Sequence, residues 1–267
     1  MVNNDDGIYL SYSSNKNSIT GNDVIENKKK GIWLDSSPYN TICGNHIINN
    51  QYGILIDDSN NTITKNTIAE NEYGVQVYSP NNKFYHNNFI NNTDQVYVDE
   101  HSNNNIWDDG YPSGGNYWSG YAGVDEKSGP NQDQPGSDGI GDVAYTINAN
   151  NTDGYPLMAP FSAFGAGVWN GTVYNVDIIS NSSLSNFNID TYGKTVSFNV
   201  TGEENQTGFC RITIPDVIVE DLWQGNHTVL LNGEPWPYRN WTDTANTYIY
   251  LNYSHSEHQI VIIPEFP

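Results

Sequence analysis

Asp35 and Asp57 close the same five-residue phrase, Gly31-Ile32-Trp33-Leu34-Asp35 and Gly53-Ile54-Leu55-Ile56-Asp57. Alternation along a strand sends Ile32 and Leu34 to one face and Trp33 and Asp35 to the other. If successive phrases lie on neighbouring strands about 4.8 Å apart, the two carboxyls come within about 5 Å, the separation of a retaining glycosidase pair. The same rows carry Tyr9, Trp33, Tyr78 and Tyr97. Aromatic rings beside carboxylates are what sugar rings and their hydroxyls bind. Stacked aspartates on a polar sheet are more often solvated than catalytic. The four aromatics are therefore read as a carbohydrate-binding face, with a glycoside hydrolase using Asp35 and Asp57 as the alternative. A polysaccharide lyase fits less well, because this part of the chain has no Arg to clamp an acidic sugar.

A second constellation is Asp138-Gly139-Ile140-Gly141-Asp142, preceded by Asp125, Asn131 and Asp133. Carboxylates at short intervals on a glycine-rich chain supply the hard oxygens that Ca²⁺ needs. The spacing departs from the EF-hand template. The expectation is a structural Ca²⁺ held by Asp125, Asn131, Asp133, Asp138 and Asp142.

What positions these residues is a repeat of about 22 residues. Gly7-Ile8-Tyr9-Leu10, Gly31-Ile32-Trp33-Leu34, Gly53-Ile54-Leu55-Ile56 and Gly74-Val75-Gln76-Val77 recur in phase with Ile19, Ile42, Ile63 and Phe84 and with Val24, Ile47, Ile68 and Phe89. Asn22, Asn45, Asn66 and Asn87 mark the corners. Three short apolar pulses per unit, without a helical period, fit a parallel β-helix whose coils stack like on like. Asn at the corners suits left-handed backbone and hydrogen bonding along the stack. These residues resemble the right-handed parallel β-helix repeats of the family typified by the periplasmic copper-binding protein NosD. The resemblance implies the fold over 1–107; copper does not transfer, since His46 and His86 sit at different phases of the repeat and no Met or Cys cluster joins them.

Residues 108–161 read as an Asp/Gly-rich cap over the last coil, whose edges would otherwise be exposed. The segment Gly115-Asn116-Tyr117-Trp118, Asp138 to Asp142 and Gly154-Tyr155-Pro156 resembles a cassette that follows such β-helices in archaeal surface proteins. Pro156 to Gly167 reads as a linker. Seven strand-like runs follow, at 172–179, 186–190, 195–200, 209–214, 227–231, 247–251 and 259–263, so 162–267 is expected to be a β-sandwich. It resembles the immunoglobulin-like domains near the C-terminus of archaeal surface proteins, where an Ile-Pro-Glu-Phe-Pro motif (here 263–267) precedes a membrane anchor.

Composition sets the compartment. Against 31 acidic residues there are 10 basic ones, a net charge of −21, which excludes nucleic acid and disfavours anionic membranes as partners. Forty Asn and many Thr, Ile, Val and Tyr residues point to an all-β protein. Cys43 and Cys210 suggest buried thiols rather than a disulfide framework. Ten sequons, Asn60, Asn91, Asn150, Asn170, Asn181, Asn199, Asn205, Asn226, Asn240 and Asn252, fit a glycosylated exterior. The expectation is an extracellular, cell-surface structural or adhesion protein. Its partners would be carbohydrate, other surface proteins, or further copies stacked on the open first coil; any membrane attachment would lie in an anchor beyond this sequence.

Overall fold

The structure, a computed structural model, describes residues 1–265 of the 267. The chain divides into two compact units: Met1–Gly136 with Ile140–Leu157, and Ser137–Gly139 with Met158 onward.

The first unit is a parallel β-helix of three sheets. One sheet stacks Ile8–Leu10, Lys30–Leu34, Tyr52–Ile56, Tyr73–Val77 and Asp94–Val98. A second stacks Ser18–Thr20, Thr41–Cys43, Thr62–Thr64 and Lys83–Tyr85, and a third Asp23–Ile25, His46–Ile48, Thr67–Ala69, Asn88–Ile90 and Tyr117–Trp118. The register places like on like: Ile32 on Ile54 on Val75, Ile42 on Ile63 on Phe84, Ile47 on Ile68 on Phe89. These columns are the repeat's three apolar pulses, and all nine side chains are buried.

Three asparagine ladders run up the corners. They are Asn17–Asn40–Asn61–Asn82–Asn105, Asn22–Asn45–Asn66–Asn87–Asn116 and Asn27–Asn50–Asn71–Asn92. At each step the backbone N–H donates to the next side-chain Oδ1 at 2.8–3.1 Å. Apart from Asn17 and Asn22 on the first coil these asparagines are buried, so without the carboxamides the corner peptide groups would lack partners. The repeated glycine has a different cause. A Cβ on Gly7 would lie 2.6 Å from the Gly31 carbonyl oxygen, and one on Gly31 2.6 Å from that of Gly53. Gly53 and Gly74 face the carbonyls of Gly74 and Gln95 in the same way. Coils approach too closely there for any side chain.

The last coil is closed by tryptophans. Trp107 stacks on Phe84 with ring centroids 4.1 Å apart, and Trp118 on Phe89 at 4.3 Å. Each tryptophan is 1% exposed.

The second unit has two five-stranded antiparallel sheets that share one core. The first runs Phe161–Trp169, Thr172–Ser180, Thr207–Pro215, Asn246–Ser254 and Arg239–Thr242 in spatial order. The other runs Ser183–Asp190, Thr195–Thr201, Glu257–Pro264, His227–Leu231 and Glu234–Pro235. Val176, Ile178, Ile212 and Ile249 meet Val196, Phe198, Val229 and Ile262 between them.

Three features differ from the sequence reading. Phe161–Trp169 is a strand rather than part of a linker, because small residues pair as readily as large ones at a sheet edge. Glu234–Pro235 and Arg239–Thr242 add two short strands. Asp216–Trp223 is a helix that buries Ile218, Val219, Leu222 and Trp223; the β-branched run 217–219 hides it from propensity reasoning. Of the segment 263–267, Phe266 and Pro267 lie outside the described residues.

Candidate functional site

Period-2 alternation delivers the expected rows on the first sheet of the β-helix. Tyr9, Trp33, Leu55, Gln76 and Tyr97 are in register on successive coils. One strand-step on, Asp35, Asp57, Tyr78 and Asp99 each donate their backbone N–H to the coil before, at 2.9 Å. Tyr9, Tyr78 and Tyr97 are each 45% exposed, while Trp33 is half-buried.

The rows are joined diagonally. The Tyr9 hydroxyl donates to Asp35 at 2.7 Å, and Trp33 Nε1 donates to Asp57 at 2.8 Å. Each aromatic thus holds the carboxylate of the next coil. Tyr9 stacks on Trp33 with centroids 4.3 Å apart and planes 21° from parallel, and Lys30 Nζ lies 3.7 Å from the indole centroid. The indole is therefore not the open platform that the sequence suggests. Further along, Tyr78 tilts against Tyr97 at 5.8 Å and donates to Gln76 Oε1 at 3.0 Å. The hydrogen bond to Asp35 raises the Tyr9 phenol above its ordinary pKa, and burial followed by Tyr97 raises that of Tyr78. Each phenol's single O–H is thus committed, to Asp35 and to Gln76, and its oxygen is left to accept from a ligand hydroxyl.

Sequence reasoning missed two partners of this face. Tyr52 and Tyr73 stack at 5.1 Å, and their repeated Tyr-Gly phrase was the available signal. Lys30 belongs to the face as well, whereas its neighbours Lys28 and Lys29 lie near Asp5 at the surface.

The five residues assigned to calcium are not assembled as one set. Asn131 and Asp133 are exposed beside the short hairpin Lys127–Ser128 and Gln134–Pro135. Both oxygens of Asp142 accept from the Glu126 N–H, and Oδ1 also accepts from Lys127 N–H. Asp125 belongs to the same unit, whereas Asp138 falls in the other. There the chain's two arginines reach adjacent carbonyls: Arg211 Nη1 donates to Asp138 and Arg239 Nη1 to Ser137. Among the described residues no three His, Cys, Asp or Glu side chains form a metal-sized group.

The carboxylate that organises the cap is Asp153, which the sequence reading passed over. It is fully buried and accepts from Asn116 N–H and Trp118 Nε1 at 2.8 Å and from Tyr155 N–H at 3.1 Å. Burial pushes its carboxyl up to about 7 against the pull of those donors. Its signal was the phrase Asp153-Gly154-Tyr155-Pro156.

The histidines of the β-helix stand apart. His46 Nδ1 pairs with Asp23 at 2.9 Å, and His86 Nε2 bonds the Ser113 carbonyl at 3.1 Å. Nine of the ten sequon asparagines are exposed, and Asn199 is half-buried. No helix among the described residues is long and apolar enough to cross a membrane. No curated protein and no solved structure matches the chain. Residues 1–123 match the family described as periplasmic copper-binding protein (NosD), and the fold they form is a NosD-like parallel β-helix.

Proposed function

We propose that the protein is a non-catalytic extracellular β-helix protein with a cell-surface structural or adhesive role, and that it binds carbohydrate on the face formed by Tyr9, Trp33, Tyr78 and Tyr97. The observation that carries this reading is the pair of bonds from Tyr9 to Asp35 and from Trp33 to Asp57. Carboxylates engaged by neighbouring rings are fixed acceptors rather than a facing acid and nucleophile. Asp57 keeps a second oxygen for a ligand hydroxyl, while that of Asp35 already accepts from the Ser36 hydroxyl at 3.1 Å. The periplasmic description of the matching family and the exposed sequons support a location outside the cytoplasm.

Copper plays no part in this reading. Cys43, His46 and His86 lie on different strands or corners, and the two histidines already bond Asp23 and Ser113. The second unit, a two-sheet sandwich with immunoglobulin-like character, acts as a spacer or presenting domain.

The test is incubation with a panel of cell-wall and matrix polysaccharides, following bound protein and newly formed sugar ends in the same samples. Binding without new ends is expected. Trp33→Ala and Tyr78→Ala should each weaken it about tenfold, equivalent to ~1.4 kcal/mol. New sugar ends that vanish in Asp57→Asn would replace this reading with a glycoside hydrolase. No binding to any polysaccharide would end the carbohydrate assignment.

A further inference from the structure

Leu55 and Gln76 stand in the outward row of the first β-helix sheet, on adjoining coils and in register. They are nevertheless only 9% and 8% exposed. Side chains flank them on both sides. Tyr52 and Tyr73, three residues earlier on the same two strands, stack on each other. Asp57 and Tyr78, two residues later, are exposed. The Tyr78 phenol, raised first by burial and then by Tyr97, also feels Asp57 and Tyr52, so the two flanks face each other across Leu55 and Gln76. The result is a shallow trough whose floor has one apolar and one polar residue.

Burying a carboxamide is costly unless both of its ends are bonded. Gln76 Oε1 accepts from the Tyr78 hydroxyl at 3.0 Å, which turns Nε2 away from that phenol. No group among the described residues accepts from Nε2, and the atom is not sealed from solvent. A side chain more than nine-tenths buried therefore presents two N–H donors to the trough. The acceptor on the diagonal is Asp57, whose Oδ2 takes Trp33 Nε1 and whose Oδ1 is left for a ligand.

We infer, resting on the carbohydrate assignment, that the sugar recognised here is a hexose carrying an N-acetyl group. Its amide C=O accepts from Gln76, its amide N–H donates to Asp57, and its methyl group lies on Leu55. Spacing selects the amide. Adjoining strands lie about 4.8 Å apart and two residues span about 6.6 Å along a strand, which sets Gln76 and Asp57 about 8 Å apart on the diagonal. One sugar hydroxyl making two bonds of about 2.9 Å spans less than that. An amide, with donor and acceptor pointing opposite ways, reaches both. A free amino group would serve Asp57 and offer Gln76 nothing. Acidic sugars are disfavoured by Asp35, Asp57 and Asp99, and Lys30 is already engaged by the Trp33 ring and by Asp6.

Calorimetric titration of the full chain with chitotetraose, its fully de-N-acetylated form and cellotetraose tests this, since the three differ only in the group at C2. The wild type should bind chitotetraose at least about tenfold more tightly than either of the others. Gln76→Ala removes the donor, and Tyr78→Phe removes the bond that orients it while keeping the ring. Each should bring chitotetraose to within about twofold of cellotetraose and leave cellotetraose binding unchanged. Tyr78 is exposed, so the second variant is informative even if the first does not fold. Equal affinity for the three tetramers, a preference that survives both variants, or failure to bind chitotetraose by a protein that binds another polysaccharide would each overturn the inference and leave the carbohydrate assignment standing. Binding of no saccharide at all would end both.

Discussion

Trp118 Nε1 donates to the buried carboxylate of Asp153 across 35 residues of chain. This bond joins the tryptophan that covers the last coil to the segment Asn151–Asp153, which returns beneath it. The same Oδ2 receives the backbone N–H of Asn116, the final rung of its ladder. One carboxylate therefore ends both the hydrophobic stack and the hydrogen-bonded stack.

Replacing Asp153 with Ala leaves the Asn116, Trp118 and Tyr155 donors buried without acceptors. Unsatisfied buried donors cost on the order of 1–3 kcal/mol each, partly relieved by entering water. A loss of about 3–5 kcal/mol is expected in urea unfolding of the full chain. Asp153→Asn, which keeps one acceptor oxygen, should lose less.

The same residue makes stability depend on pH. Its carboxyl titrates near 3.8 when unfolded and at about 7 when folded, so folding takes up a proton between those values. Its favourable contribution is complete below pH 3.8 and is lost as pH rises to about 7. Unfolding free energy should fall across that window by up to about 1.4 kcal/mol per pH unit from this group. Asp153→Asn should remove that component of the slope; an unchanged slope in the variant would refute the assignment.

Within the ladders, Asn66 donates Nδ2 to Ile42, Thr64 and Asn87, and its Oδ1 receives Asn45. Asn66→Ala should cost about 3–5 kcal/mol. Asn22→Ala, on the partly exposed first coil, should cost clearly less. Equal losses in denaturant unfolding would mean that the ladders do not act through burial.

Gly53→Ala drives a methyl group into the Gly74 carbonyl, whereas Gly120 has open space at the same point. The first substitution should destabilise by about 2–4 kcal/mol and the second by less than about 1 kcal/mol. Paired thermal melts of the two variants check this.

Chelation is a further discriminating measurement. Because both oxygens of Asp142 already cap the Glu126 and Lys127 amides, EDTA should leave the unfolding midpoint within about 2 °C. A large rise on adding Ca²⁺ would show that the loop rearranges around the ion.

The β-helix was legible because each coil repeats one set of demands. The Gly, Ile and Asn columns recur in the sequence at the interval at which they stack in space. The direction of the outward rows was legible too, since it follows from alternation alone. The engagement of Asp35 and Asp57 was not, because whether Trp33 turns its indole edge or its face to a neighbour is a rotamer choice set by Tyr9 and Lys30. Asp153 escaped because its partners lie about 35 residues upstream. Phe161–Trp169 was hidden by its small residues, which carry little strand propensity and pair through the backbone.

The steps of the second ladder have unequal lengths. Asn45 to Asn66 and Asn66 to Asn87 each take 21 residues, but Asn87 to Asn116 takes 29, with the same pair of hydrogen bonds at the end. The added residues bulge outward between fixed rungs, so the scaffold does not record how much chain passes between two asparagines. The stretch between Trp107 and Asn116 carries this extra length while staying anchored, the Ser113 carbonyl to His86, the Gly115 N–H to the Tyr155 carbonyl and the Asp108 carboxylate to the Gly154 N–H, so it acts as a clasp between the last coil and the segment that returns over it.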